Sequence, residues 1–87
     1  MKIQSMESTR TGKAVANQVI VDTMHMKAFF SYGTCIVESS YGQITLDKTY
    51  WNYSKTTSKY RSQFLGETTK ETQEKINNGT YTLTNLN

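Results

Sequence analysis

The stretch QITLDKTYWNYSKTTSKYRSQFLG, residues 43–66, decides the fold, because its apolar period changes within it. Up to Asp47 the side chains alternate, with Ile44 and Leu46 on one side, as in a half-buried strand. Beyond Asp47, Tyr53, Thr57, Tyr60 and Phe64 fall at i, i+4, i+7 and i+11, a stripe along one face of a helix. Ser54 stands where a helix N-cap belongs, and Gly66 where a left-handed residue ends the helix. A strand therefore runs almost directly into a helix. Trp51 sits at the corner, where a large ring can close the end of a small core. The core expected here is Trp51, Tyr53, Tyr60 and Phe64.

Upstream, β-branched and aromatic residues dominate short runs. Residues 16–22 (ANQVIVD) read as a strand with Val15, Val19 and Val21 on one face and Ile20 on the other. Residues 27–32 (KAFFSY) come next, with Ala28, Phe30 and Tyr32 together and Phe29 opposite. Residues 35–38 form a third strand, SSYGQ (39–43) a hairpin turn, and QITLD a fourth strand. Short connections between them imply an antiparallel meander. The segment TMHM between the first two strands lacks the Gly or Asp of a usual hairpin turn. Downstream, Thr68 and Glu71 have capping-box spacing and open a second helix over 69–78, with Lys70–Glu74 and Glu71–Lys75 spaced for pairing. Only Ile76 is apolar on that helix, which places it on the surface. TYTLT (80–84) returns as a last strand with Tyr81 and Leu83 inward.

Strands grouped before helices predict an α+β fold. The expected architecture is an antiparallel sheet of four to five strands, two helices before the last strand, and one helix packed on the sheet. At 87 residues the chain makes one domain, assigned to 14–87, with polar residues 1–13 as a poorly ordered lead-in. A domain this size buries only about 60–65% of its unfolded surface, so its core is small.

Catalytic chemistry finds no foothold. His25 is the sole histidine and has only Asp22 near it in sequence, short of the orienting partners a general base needs. One His and one Cys do not build a tetrahedral metal site. Cys35, beside Thr34 and ahead of Ile36 and Val37, reads as a small buried hydrophobe, and a single cysteine suits a reducing compartment. TRTGK (9–13) lacks the leading glycine and the preceding strand of a phosphate loop. No two carboxylates pair for acid–base work. The reading is no enzyme, no metal and no cofactor.

Ten Lys and Arg against seven Asp and Glu give a net charge of +3, compatible with nucleic acid but ordinary for a soluble domain. Between residues 48 and 61 the chain carries Lys48, Lys55, Lys59 and Arg61 with no acid and four interleaved aromatics. That composition suits a single strand stacked on rings and held by phosphate contacts. Helical spacing instead sends the rings to the core and leaves the lysines on a solvated outer face. No apolar run is long enough to span a membrane, and residues 1–10 lack the apolar segment of a signal peptide, so a cytosolic protein is expected.

Four stretches carry a resemblance: ANQ (16–18), SYGTCI (31–36), LDKTYWNYSKTTSKYRSQFLGE (46–67) and INNGTYTLTNLN (76–87). Together they resemble a small bacteriophage-encoded family of unknown function, over nearly everything after the lead-in. The resemblance implies a phage accessory gene expressed in the host cell cytoplasm. Small phage proteins of that kind act by binding and blocking a host protein. The expected function is therefore non-enzymatic binding and inhibition of a bacterial host factor, for example a defence enzyme in the manner of an anti-CRISPR. Ile20 and Phe29, read as an apolar patch away from the core, are the candidate partner-binding residues, unless a homodimer or the N-terminal segment covers them. The alternative is nucleic-acid binding through Lys48, Lys55, Lys59 and Arg61.

Overall fold

The computed structural model describes all 87 residues. The elements are β1 (Lys2–Glu7), β2 (Ala14–Asp22), β3 (Met26–Ser31), β4 (Thr34–Ser40), β5 (Gln43–Asp47), α1 (Lys55–Leu65), α2 (Thr69–Asn77) and β6 (Thr82–Thr84). The six strands form one sheet in sequence order. Neighbours are antiparallel from β1 to β5, while β5 and β6 run parallel. The two helices between β5 and β6 supply the long connection a parallel pair needs. The α+β class stands, but the sheet is mixed and has six strands rather than four or five antiparallel ones.

The extra strand comes from the segment expected to be a poorly ordered lead-in. Residues 2–7 pair with β2, and Met6 is buried in the core. Every other β1 side chain is exposed, so this strand exists through its ladder with β2 rather than through an apolar pattern of its own. At the opposite edge, Tyr81 is buried just ahead of β6, but Leu83 is 38% exposed, not inward as its alternation suggested.

Both tight hairpins use the same turn. Tyr32-Gly33 and Tyr41-Gly42 each have two successive positive φ values, the type I′ geometry that matches strand twist. Glycine takes that conformation freely, whereas a tyrosine in it costs about 1–2 kcal/mol.

The core lies between the sheet and α1. Ile20 pairs with Phe29, Phe29 with Val37, and Val37 with Leu46, a row across one face. The Phe29 ring stacks on Phe64 of α1 with centroids 6.0 Å apart. Phe29 is fully buried and Ile20 is half-buried against the same cluster, which reverses the expected facing of β2 and β3. The exposed Ile20–Phe29 patch does not exist. Val19 and Val21, paired with Phe30 and Ala28, take the reverse face instead. Val15 parts from Val19 for a local reason: Asn17 adopts φ 66° and the β1–β2 register slips between Ser5 and Glu7. Such a bulge breaks simple alternation, so Val15 packs on the core while Val19 does not.

Helix α1 begins after Ser54, whose hydroxyl accepts the Thr57 N–H, and ends at left-handed Gly66. Thr57 and Tyr60 are buried and Phe64 half-buried, as the stripe requires. Tyr53 precedes the cap, escapes the stripe and is 70% exposed, so it is not core. Trp51 is half-buried at the corner. Helix α2 carries the expected capping box, with Thr68 N–H donating to the Glu71 carboxylate. Lys75 pairs instead with Glu67 at 2.8 Å. Glu67 also accepts from the Tyr81 and Thr72 hydroxyls, and these bonds hold its carboxyl below the usual range against the upward push of burial.

Two polar side chains build the corner between β5 and α1. Asp47, 1% exposed, accepts the Thr49 and Tyr50 N–H groups on Oδ2, at 3.1 and 2.9 Å. Its Oδ1 accepts the Leu86 N–H and the Asn87 amide, at 2.9 and 3.1 Å. Asn87 continues to the Cys35 backbone through both ends of its amide. Cys35 itself is buried, and burial with the Glu38 and Asp47 charges pushes its thiol up to about 11. From the helix side, fully buried Arg61 donates to the Trp51 carbonyl and the Asn52 side chain, at 2.6 and 3.2 Å. It also donates to Thr69 Oγ1 at 2.6 Å, and it stacks over the Trp51 ring at 5.1 Å.

Two stability results are expected. Phe29→Ala removes a wholly buried ring and should cost about 3–5 kcal/mol, which leaves a domain of this size largely unfolded in a thermal or urea melt. Asp47→Asn leaves N–H donors facing an amide and should cost about 2–3 kcal/mol. Burial alone would raise the Asp47 pKa, but the bonds from Leu86, Tyr50, Thr49 and Asn87 bring it below the ordinary value. A carboxylate depressed in the folded state stabilises above its unfolded pKa of about 3.9, and that stability is lost as pH falls through the folded value. The parent's melting temperature should thus drop on acidification below about pH 4, and Asp47→Asn should show a shallower drop. A variant as stable and as acid-sensitive as the parent would remove Asp47 from this role.

Candidate functional site

A cleft of about 500 Å³ opens where the β3–β4 turn meets the corner. The turn side contributes Ser31, Tyr32 and Thr34, with Ile36 of β4. The corner side contributes Tyr50, Tyr53, Ser54 and Thr57. None of these side chains is charged at neutral pH. Tyr32 is 64% and Tyr53 70% exposed, while Tyr50 is half-buried and meets the Tyr53 ring edge-on at 5.2 Å.

The cleft is held by the elements already described. Asp47 fixes the Tyr50 backbone, the I′ turn projects Tyr32, and the α1 cap fixes Ser54. At the floor, three hydroxyls are linked. Ser54 Oγ donates to Thr57 Oγ1 at 3.1 Å, and Thr57 Oγ1 and Ser31 Oγ lie 3.0 Å apart across the strand–helix boundary. Ser31 and Thr57 are both buried. Gln18, paired with Ser31 across β2–β3, is fully buried, and neither end of its amide has a partner.

Of the residues singled out from sequence, the structure gathers few. Ile20 and Phe29 lie in or against the core. Lys48, Lys55 and Lys59 are exposed, the last with its Nζ 5.4 Å from the Tyr60 ring centre. Arg61 is sequestered under the corner and reaches no external phosphate. Tyr60 and Phe64 are structural, and Trp51 serves the corner. His25 lies at the other end of the sheet, stacked on Tyr41 and 3.1 Å from its hydroxyl through Nδ1. No three His, Cys, Asp or Glu side chains gather into a metal-holding group, and no helix is long and apolar enough to cross a membrane.

Sequence reasoning passes over Ser31, Tyr32 and Thr34. One signal is available: SYG recurs at 31–33 and 40–42, with tyrosine where a I′ turn favours Asn, Asp or Gly. A large ring in that strained place is a reason to look for use.

Comparison with curated proteins and with solved structures finds no match. A family model, described as a family of unknown function (DUF8033), matches residues 1–79, which take in β1, every residue lining the cleft and both helices. The chain belongs to this family.

Proposed function

We propose that this protein is a non-enzymatic binding module that holds a segment of a partner protein in the tyrosine-lined cleft. The observation that carries it is the pair of exposed rings, Tyr32 and Tyr53, standing at the rim of a preformed cleft whose floor is Ser and Thr. Tyrosine with serine is the chemistry of paratopes: large, amphipathic contact area with only two side-chain torsions to immobilise, beside adaptable hydroxyls. Such rings at the centre of a desolvated contact carry most of its energy. The resemblance to phage proteins supplies the wider proposal, a phage accessory protein occupying a bacterial host factor, a defence enzyme among the candidates.

A second reading has an observation of its own. Lys48 and Lys55 are exposed on either side of Tyr50 and Tyr53, and no carboxylate lies between residues 48 and 66. Single-stranded nucleic acid would stack on the rings with its phosphates on the lysines. With Arg61 buried, three lysines remain, so the log–log salt slope of binding should be no steeper than about −2. Fluorescence anisotropy with labelled oligonucleotides at two salt concentrations measures this, and a flat trace at low salt removes the reading.

For the leading proposal, the decisive comparison is the parent against a Tyr32→Ala/Tyr53→Ala variant, each immobilised and exposed to bacterial lysate. The substitutions touch exposed rings, so melting should move by no more than about 0.5 kcal/mol. A protein retained by the parent at near-equal stoichiometry should be lost by the variant. Equal retention by both, with equal melts, would take the cleft out of the function.

A further inference from the structure

If the cleft holds a partner segment, its floor and walls also specify the chemistry of that segment. On the strength of that binding reading, we infer that the cleft accepts an extended, proline-containing stretch of the partner in polyproline II conformation. One backbone carbonyl of the stretch sits on the Ser31–Thr57 hydroxyl pair.

A proton count at the floor comes first. Ser54, Thr57 and Ser31 carry three hydroxyl protons. Ser54 spends its proton on Thr57 Oγ1, and Thr57 and Ser31 share one bond between them. Whichever of the two donates, the other keeps a proton with no acceptor in the chain. Gln18, the nearest cross-strand neighbour, makes no bond with either. A buried donor without an acceptor is costly, and a ligand carbonyl satisfies it. Ser54 Oγ accepts the Thr57 N–H, and Thr57 Oγ1 accepts from Ser54. The unspent hydroxyl proton of the Ser31–Thr57 pair is the group that asks for a partner, and that partner is an acceptor.

The walls narrow the ligand further. An uncharged lining offers no counter-ion to a phosphate or carboxylate placed inside. An α-helical segment has its carbonyls bonded internally and presents none to the floor. A polyproline II strand has no internal hydrogen bonds and leaves its carbonyls free. Its proline rings lie flat on aromatic faces, which is how aromatic-lined grooves recognise such segments, and the strand is stiff before it binds. Tyr32 on one rim faces the edge-to-face pair Tyr50 and Tyr53 on the other, so rings bound the cleft from two sides. None of these 87 residues is a proline, so none of them supplies the segment.

Titration of the isotope-labelled protein with a blocked decaproline peptide, monitored through backbone amide shifts, tests this. Saturable shifts are expected at Tyr32, Gly33, Tyr53 and Ser54. Tyr53→Ala, a surface change, should weaken binding tenfold or more, as loss of an anchoring ring does at about 1.4 kcal/mol per decade. Thr57→Val, checked for an unchanged melt, should weaken it roughly three- to tenfold through the lost hydroxyl. No saturable shift at millimolar peptide, or tighter binding of a nucleoside monophosphate in the same cleft, would overturn the inference. If the parent then still retains a lysate protein that Tyr32→Ala/Tyr53→Ala loses, the binding reading stands and only the proline segment is wrong. If that retention fails as well, both fall.

Discussion

A buried carboxylate organises this molecule. Asp47 ends the only strand that leads into a helix, and its two oxygens receive four N–H groups from opposite directions along the chain. A charge removed from water is tolerated only when donors replace its hydration shell. Here that shell is the backbone of Thr49 and Tyr50, the Leu86 N–H and the Asn87 side chain. The same bonds that keep Asp47 ionised thus bend β5 toward α1 and tie the C-terminal segment across the end of the sheet. Asn87 extends the tie to Cys35 on β4, so three separate parts of the chain meet at one side chain.

Arg61 supports the corner from below. It is a guanidinium with no carboxylate in contact, surrounded by a carbonyl, an amide and hydroxyls, and covered by the Trp51 ring. Its planar fork reaches several acceptors at once, which a lysine cannot do from the same place. Between Asp47 above and Arg61 below, residues 49–52 have little freedom. Tyr50 is in consequence held in place, which under the proposed binding would leave less ordering entropy to lose.

How much of the structure is legible in the sequence depends on how local each signal is. The Ser54 cap, the Gly66 end and the Thr68–Glu71 box each depend on residues within four positions of one another, and all three stand. The strand at 43–47 alternates cleanly and is found at those bounds. The grouping of Val15 with Val19 escapes an apolar count because one left-handed residue, Asn17, changes the parity of what precedes it, and no apolar residue marks that change. Strand β1 escapes it because its stability lies in a ladder to a distant partner. Tyr53 keeps perfect helical spacing yet lies on the wrong side of its own helix cap. The cleft draws on residues 31–36 and 50–57, whose meeting depends on the Asp47 and Arg61 bonds, and neither of those charged groups looks buried in sequence.

Fold and site share their materials. Of fifteen buried residues six are polar or charged, namely Gln18, Ser31, Asp47, Thr57, Arg61 and Thr72, so specific hydrogen bonds hold together what a larger apolar core would otherwise hold. Two of the six, Ser31 and Thr57, are also the floor of the cleft. A change there touches stability as well as binding, so a binding result at either is read together with the melt. Tyr32 and Tyr53 are different: they stand out from the network, make no part of the core, and Tyr32 sits in a left-handed backbone conformation that a tyrosine adopts at a cost. Stability alone selects neither an exposed ring nor a strained turn, since asparagine at position 32 would relieve the strain at no loss of packing. The binding we propose would account for both rings at the cleft, and it is at these two residues that such a function could be separated from the fold.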